Sequence, residues 1–351
     1  MHIDDFFRIA VKKKASDIHL AAGQPPTLRI NGILRHIPGS KVLTPAVIEE
    51  LTFDMITEKQ RKKFIESKEL DVSYEISNLS RFRVNLHYQK GSVGMVARVI
   101  PTTIPTMKDI LMPEIMYDLA RMDSGLVLIT GPTGCGKSTS LAAMIEFINN
   151  ERSVHMVTLE DPIEFIFLSK KSLIIQRQLH TDMLSFEDAL THVLRQDPDV
   201  VVVGEMRNLE TIAAAITLAE TGHLVLATLH THSADQTIDR IIDIFPAHQQ
   251  NQIRLQLSMS LSGIMSQKLI PDIKNSRIAA REVLVKTPAV GNLIRENKIA
   301  QIKTVIQTSA QQGMFTMDQH LIDLYKNGKI SLEVAEAYIL DKEMVNSKSR
   351  K

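Results

Sequence analysis

The sequence predicts an α/β protein in two parts: a compact α+β unit of the first 100 or so residues, then a mostly parallel sheet covered on both faces by helices. Three observations predict it. Residues 125–130 read as a buried strand running into Gly131-Pro132-Thr133-Gly134-Cys135-Gly136-Lys137-Ser138, and residues 138–148 read as a helix with Leu141, Ile145 and Ile148 on one face. Strand-sized apolar runs at 154–159, 200–203 and 224–228 then alternate with helical segments. Finally, residues 1–100 carry an amphipathic helix, a hairpin signal and strand-like runs in short succession.

Within the first part, a helix is expected over residues 3–13 and a short strand over 16–20. Asn31-Gly32 marks a hairpin inside residues 28–34, because both residues tolerate positive φ. Thr44 caps a helix with Pro45 in its first turn, and Val47, Ile48, Leu51 and Met55 form the expected buried stripe. Strands over residues 81–88 and 94–100 close the unit, and Pro101 and Pro105 mark a linker. In the second part, Phe186, Ala189, Leu190, Val193 and Leu194 share one helical face, and Asn208 caps the next helix, which stops before Gly222. From about Ile273 the pattern becomes mainly helical, and residues 346–351 read as a polar tail.

Composition narrows the function classes. A chain of 351 residues, 44% hydrophobic, supports two or three packed domains. The formal net charge of +1 calls for neither nucleic acid nor an anionic membrane as partner. One cysteine, Cys135, excludes an internal disulfide and a multi-cysteine zinc site. Met1-His2-Ile3-Asp4-Asp5 lacks the basic start of a signal peptide, and the apolar runs fall short of a membrane span, so a soluble cytoplasmic protein is expected.

The run from Gly131 to Ser138 satisfies G-x-x-x-x-G-K-[ST] at every specified position. Glycines let successive backbone N–H groups close around phosphate oxygens, and the helix N-terminus adds partial positive charge. Lys137 would reach the β- and γ-phosphates and the Ser138 hydroxyl would ligate Mg²⁺, with Thr139 next in the nucleotide-binding run. The chain is therefore read as binding an NTP. Its metal also needs a carboxylate at the end of a second core strand. The usual position is Gly204, so Glu205 is the available acid, acting directly or through a water. A second acidic run, Glu160-Asp161-Pro162-Ile163-Glu164, offers a base for the attacking water; spacing does not choose between Glu160 and Glu164. His223 and His230 flank the strand at 224–228 and could report the γ-phosphate, hold a metal, or be structural. Arg81, Arg83 and Arg98 are available to meet transition-state charge. Cys135, just before a helix N-terminus, is where a thiolate is favoured; it reads either as a small residue that the loop tolerates or as a thiol whose alkylation blocks activity and from which ATP protects.

Together these segments resemble the type IV pilus twitching-motility ATPases, the PilT/PilU family of secretion-type hexameric motors. The match takes in Ala15-Ser16-Asp17-Ile18-His19-Leu20, Arg81-Phe82-Arg83-Val84-Asn85, the phosphate loop, Thr158-Leu159-Glu160-Asp161-Pro162-Ile163-Glu164-Phe165, Gly204-Glu205-Met206-Arg207, Thr221-Gly222-His223-Leu224 and Thr228-Leu229-His230-Thr231. The resemblance implies a PAS-like N-terminal domain at 1–100, a linker at 101–112, a RecA-like P-loop ATPase core at 113–272 and a helical C-terminal region at 273–351. It implies ATP and Mg²⁺ as cofactors, a homo-hexamer, the inner-membrane platform protein of the pilus and a paralogous retraction ATPase as partners, no nucleic acid, and membrane contact only through proteins. On it, Glu205 is the Walker B acid, Glu164 the general base, Glu160 a supporting acid, His223 and His230 the His box, and Arg83 and Arg98 interface arginines. One departure stands out: where retraction motors carry Ala-Ile-Arg-Asn-Leu-Ile-Arg-Glu, this chain has Ala289-Val290-Gly291-Asn292-Leu293-Ile294-Arg295-Glu296. An accessory PilU-type partner, or the motor of a related secretion system, therefore stands beside the principal retraction motor as a reading.

Overall fold

The computed structural model describes residues 2–30, 32–77, 79–100, 103–274 and 276–341. It divides into two compact units, Met1–Thr103 with Glu164–Ile166, and Ile104–Ile163 with Phe167–Lys351. Pro101, Asn31 and the tail at 346–351, on which the linker, hairpin and tail expectations partly rest, lie outside the described residues.

The first unit opens with α1 (Ile3–Lys12), whose buried face is Ile3, Phe6, Phe7 and Ala10. His2 accepts the Asp4 N–H and Asp5 reaches back to the His2 N–H, so both ends of the first turn are satisfied. Then come β1 (Asp17–Ala21) and the hairpin β2 (Thr27–Ile30) and β3 (Ile33–His36), which turns through Gly32 at φ +81°. Thr44 caps α2 (Pro45–Met55) by accepting the Val47 N–H, as expected. The stripe is rotated from the expected one: Ile48, Leu51 and Thr52 are buried while Val47 is exposed and Met55 only half-buried. Next follow α3 (Glu58–Ser67) and β4 (Glu69–Ile76), which the sequence reading did not anticipate. α3 buries Phe64 alone, so it offers no apolar period, although its Thr57–Gln60 capping box was readable. The unit closes with β5 (Ser80–Gln89) and β6 (Ser92–Ile100).

These six strands form one antiparallel sheet in the order β3-β2-β1-β6-β5-β4. Alternation puts Ile18, Leu20, Phe82, Val84, Leu86, Met95 and Ala97 on the buried face, where Phe7 stacks on Phe82 at 4.3 Å between centroids. The opposite face is polar, with Arg83 directly across from Arg98, and Arg98 across from Asp17.

The second unit begins with α4 (Glu114–Arg121) and β7 (Gly125–Thr130), followed by α5 (Lys137–Glu151), β8 (His155–Glu160), β9 (Leu173–Gln178), α6 (Phe186–Val193), β10 (Val200–Val203), α7 (Leu209–Glu220) and β11 (Leu224–Leu229). α8 (Ala234–Asp243) and α9 (Ala247–Ser260) lead to β12 (Leu261–Pro271) and β13 (Arg277–Val285), and α10 (Pro288–Arg295), α11 (Ile302–Thr308), α12 (Met317–Lys326) and α13 (Leu332–Tyr338) complete it. The sheet order is β13-β12-β7-β11-β10-β8-β9, parallel except for β13. Every residue of β7, β10 and β11 is buried, as in a sheet with helices on both faces. The expected α/β class, with a mainly parallel core sheet, is what the structure has. Three strands of this unit escaped the sequence reading: β9, β12 and β13. β9 is an edge strand with Leu173 and Ile175 exposed. From Ile273 the described residues are mainly helical, as expected, but β13 comes first: its Arg281-Glu282 pair interrupts the apolar alternation, yet both side chains are buried. A boundary at 272 thus falls in the turn of the β12–β13 hairpin.

Candidate active site

Parallel strands place their carboxyl ends on one edge of the sheet, and the loop from Gly131 to Gly136 emerges there between β7 and α5. Its glycines have physical reasons. Gly131, at φ +144°, has the Gln267 carbonyl oxygen 2.2 Å from where a Cβ would sit; Gly134 and Gly136 take φ +76° and +87°. Gln267, buried on β12, grips the loop from behind: its Nε2 donates to the Cys135 carbonyl and its Oε1 accepts from Ser140 on α5, both at 2.8 Å. Sequence reasoning missed it, though a glutamine within the run Leu261-Ser262-Gly263-Ile264-Met265-Ser266-Gln267 invites the question of what it binds.

Lys137 lies buried at the start of α5, with its ammonium donating to the Gly131 and Pro132 carbonyls at 2.9 and 3.1 Å and standing 3.4 Å from His230 Nδ1. Ammonium only donates, so Nδ1 presents its lone pair and the imidazole proton sits on Nε2, which faces Glu205 Oε1 at 3.1 Å. The second Glu205 oxygen takes Arg207 Nη2 at 2.9 Å. Burial pushes the Glu205 carboxyl up, but the bond and charge of Arg207, joined by the His230 contact, outweigh it and hold it below the usual glutamate value. Gly204, the usual aspartate position, is tight for a side chain: its Cβ would lie 3.1 Å from the Leu159 carbonyl and 3.3 Å from Glu160 Cα, so the end of β8 would have to give by a few tenths of an ångström.

The structure thus brings Lys137, His230 and Glu205 together where the loop runs into the first turn of α5, which carries Ser138 and Thr139. Glu160 ends β8 beside Gly204 and accepts from Thr158 Oγ1 at 2.6 Å and Gln176 Nε2 at 3.1 Å. Glu164 is exposed in the following loop, after the buried Ile163. His223 is not brought to the site. It precedes β11 at the end opposite the loop, and seven extended steps at about 3.3 Å each put roughly 23 Å between it and His230. Its Nδ1 lies 3.0 Å from the Leu218 carbonyl and 3.1 Å from Thr221 Oγ1, the contacts of a residue closing the end of α7. Arg83 and Arg98 belong to the polar face of the first unit's sheet, where Arg98 pairs with the buried Asp17 at 2.9 Å and Arg29 adds a second contact at 3.8 Å. The expected Cys135 thiolate is also corrected: the side chain is 3% exposed, and burial raises its pKa more than Lys137 and the neighbouring bonds lower it.

Alongside the loop lies a cavity of ≈ 310 Å³ whose walls include Thr139, Asp109, Leu111, Arg277, Ile278 and Arg281. Arg281 is 1% exposed and holds one wall in place, donating to the Leu111 and Ile110 carbonyls at 2.7 and 2.9 Å. Burial lowers its pKa to about 10, which leaves it cationic at neutral pH.

A family profile described as "Type II/IV secretion system protein" matches residues 1–325. The chain belongs to this family, and within it to the PilT group. It is 48% identical over 335 residues to the Pseudomonas aeruginosa protein named type IV pilus retractation ATPase PilT, covering 95% of this chain and 97% of that one. It is 42% identical to the type IV pilus ATPase PilU of the same organism, over 96% of this chain and 88% of that one. A crystal structure of the pilus retraction motor PilT with bound ADP superimposes with a TM-score of 0.93 at 44% identity, covering 99% of both chains. Among the described residues no helix is long and apolar enough to cross a membrane.

Proposed function

We propose that the chain is an ATP-hydrolysing motor that powers type IV pilus retraction, working as a homo-hexameric ring on the cytoplasmic side of the inner membrane against the pilus platform protein. The observation that carries this is the contact series Lys137–His230–Glu205 at a complete phosphate loop, in a chain nearly half identical to a named retraction ATPase. Lys137 would exchange its loop carbonyls for phosphate oxygens, with the loop N–H groups cradling the β-phosphate. The ≈ 310 Å³ cavity is of a size to take the nucleoside. Ser138 and Glu205 supply the hard oxygen donors that suit Mg²⁺, and phosphates and water would complete its shell. When bound, that ion would offset charge on the transferring phosphoryl group. Glu164 is assigned the base, Glu160 supports it, and Arg83 and Arg98 are assigned to nucleotide at an interface between copies. His230 is retained as the γ-phosphate reporter and His223 is not.

Gly291 favours a second reading, that of an accessory PilU-type partner of another retraction ATPase, since it replaces the arginine of the retraction motors' run. Identities of 48% to PilT and 42% to PilU weigh the other way. Two experiments test the proposal. The purified chain should hydrolyse ATP, and Lys137→Ala should abolish nucleotide binding; undiminished binding by that variant would refute the assignment. A strain deleted for the gene should carry excess surface pili and not twitch, whereas residual low-load retraction would make the accessory reading correct.

A further inference from the structure

We infer that Arg207 is a positioning residue for hydrolysis: it ties Glu205 to the loop after β8, so that the metal-side acid and the acidic run move as one. This rests on the hydrolytic reading above. Nothing else in the site explains the arginine's geometry. One guanidinium nitrogen, Nη2, lies 2.9 Å from Glu205 Oε2, and the other, Nη1, donates to Asp161 Oδ2 at 3.2 Å. The two carboxylates come from the ends of neighbouring parallel strands, β10 and β8. The strand backbones are joined up to the bond from the Gly204 N–H to the Leu159 carbonyl at 2.8 Å. Beyond that bond the Glu205 side chain takes Arg207 on one oxygen and His230 on the other.

A contact series therefore runs from Lys137 through His230, Glu205 and Arg207 to Asp161, three residues before Glu164. A planar fork holds its N–H groups in two fixed directions and so sets two separate carboxylates relative to one another; an ammonium can reach two acceptors but its rotatable donors fix neither direction. The Arg207 side chain is 59% exposed, where an ion pair contributes little to folding stability. Its value lies in the orientation it imposes.

The test compares wild type with Arg207→Ala, Arg207→Lys, Asp161→Asn and the double variant Arg207→Ala/Asp161→Asn. Loss of a residue that orients a metal-side ligand should lower kcat by about tenfold to a hundredfold. The KM for ATP and the affinity for a fluorescent ADP without Mg²⁺ should stay within about threefold of wild type. Arg207→Lys should recover only part of the loss, and Asp161→Asn should add nothing on top of Arg207→Ala. An unchanged kcat in Arg207→Ala, or losses that multiply in the double variant, would overturn the inference. If the wild type binds ADP but does not turn over ATP, the hydrolytic reading falls, and binding decides the rest. In that case the tightening of ADP affinity by Mg²⁺ should weaken at least about threefold in Arg207→Ala, and unaltered tightening would overturn the role.

Discussion

Acidification should destabilise this chain through His320, and the size of the effect can be worked from its surroundings. His320 lies on α12 beside the Phe315 ring, 5.1 Å between centroids, and its Nδ1 accepts the Arg281 backbone N–H at 2.8 Å. Burial, and then the Arg281 charge, push its pKa from 6.5 down to about 4. Protonation would place a hydrogen on the nitrogen that must accept one. Between pH 6.5 and about 4 the unfolded chain holds the extra proton and the folded chain does not, so stability falls as pH drops through that window and is level above it. At about 1.4 kcal/mol per pH unit, the histidine accounts for a loss of about 2 kcal/mol by pH 5 and about 3 kcal/mol by pH 4. Urea unfolding at pH 7.5, 6 and 5 should show that loss in the wild type. His320→Gln, which keeps an acceptor and does not titrate, should lack it. Parallel pH dependence in the two proteins would refute the reasoning. Asp17 and Glu205, both held below their usual values, contribute in the same direction at lower pH and cancel in the comparison.

Glu205→Gln should bind fluorescent ADP as wild type does and lose kcat by about a hundredfold or more, because the carboxylate is replaced by a neutral amide whose single oxygen accepts from only one of His230 and Arg207; appreciable hydrolysis by the variant would remove Glu205 from its role. Gly291 lies inside α10 with the Ser258 carbonyl 3.4 Å from where a Cβ would sit, an ordinary contact, so Gly291→Ala should raise stability by about 0.5–1 kcal/mol in urea unfolding, and a loss would mean that the two helices need closer approach. The buried Cys135 thiol should react with a thiol reagent at least about tenfold slower in the native chain than in urea, and a rapid native reaction would restore the thiolate expectation.

What could be read from the sequence was what is local. The phosphate loop announces itself because its glycines, its lysine and its hydroxyl all fall within eight residues, between a strand and a helix that are both fully patterned. Glu205 followed because a strand of four valines ends one glycine before it. The features that were missed depend on distant partners. Gln267 matters through Cys135 and Ser140, more than 120 residues away in sequence. Arg281 matters through the carbonyls at 110 and 111, and nothing around either end hints at the other. β13 failed as a strand in the sequence because its buried Arg281 and Glu282 look like surface residues. Glu282 in fact accepts the Ala234 N–H at the start of α8. α3 went unread because a helix that buries one phenylalanine has no period to detect.

His223 shows how strand direction decides which residues of a motif can act together. Histidines seven apart, one on each side of β11, look like a pair in the sequence. In a helix that spacing would stack them on one face, two turns apart. β11 is extended, and it runs parallel to β7 in a register that sets Leu224 against Gly125 and Leu229 against Thr130. The register fixes the outcome: whatever follows Leu229 lies beside the phosphate loop that follows Thr130, and whatever precedes Leu224 lies at the far edge with Gly125. The same rule places Glu160 at the end of β8 and Glu205 after β10 on the loop's edge, since Leu159 pairs with Val203 and Val203 with Ala227. His230 can therefore bridge Lys137 and Glu205 within a single chain, and no side-chain rotation can bring His223 to join it. Any influence of His223 on the nucleotide bound by its own chain has to pass through the backbone of β11 and the end of α7 that it closes.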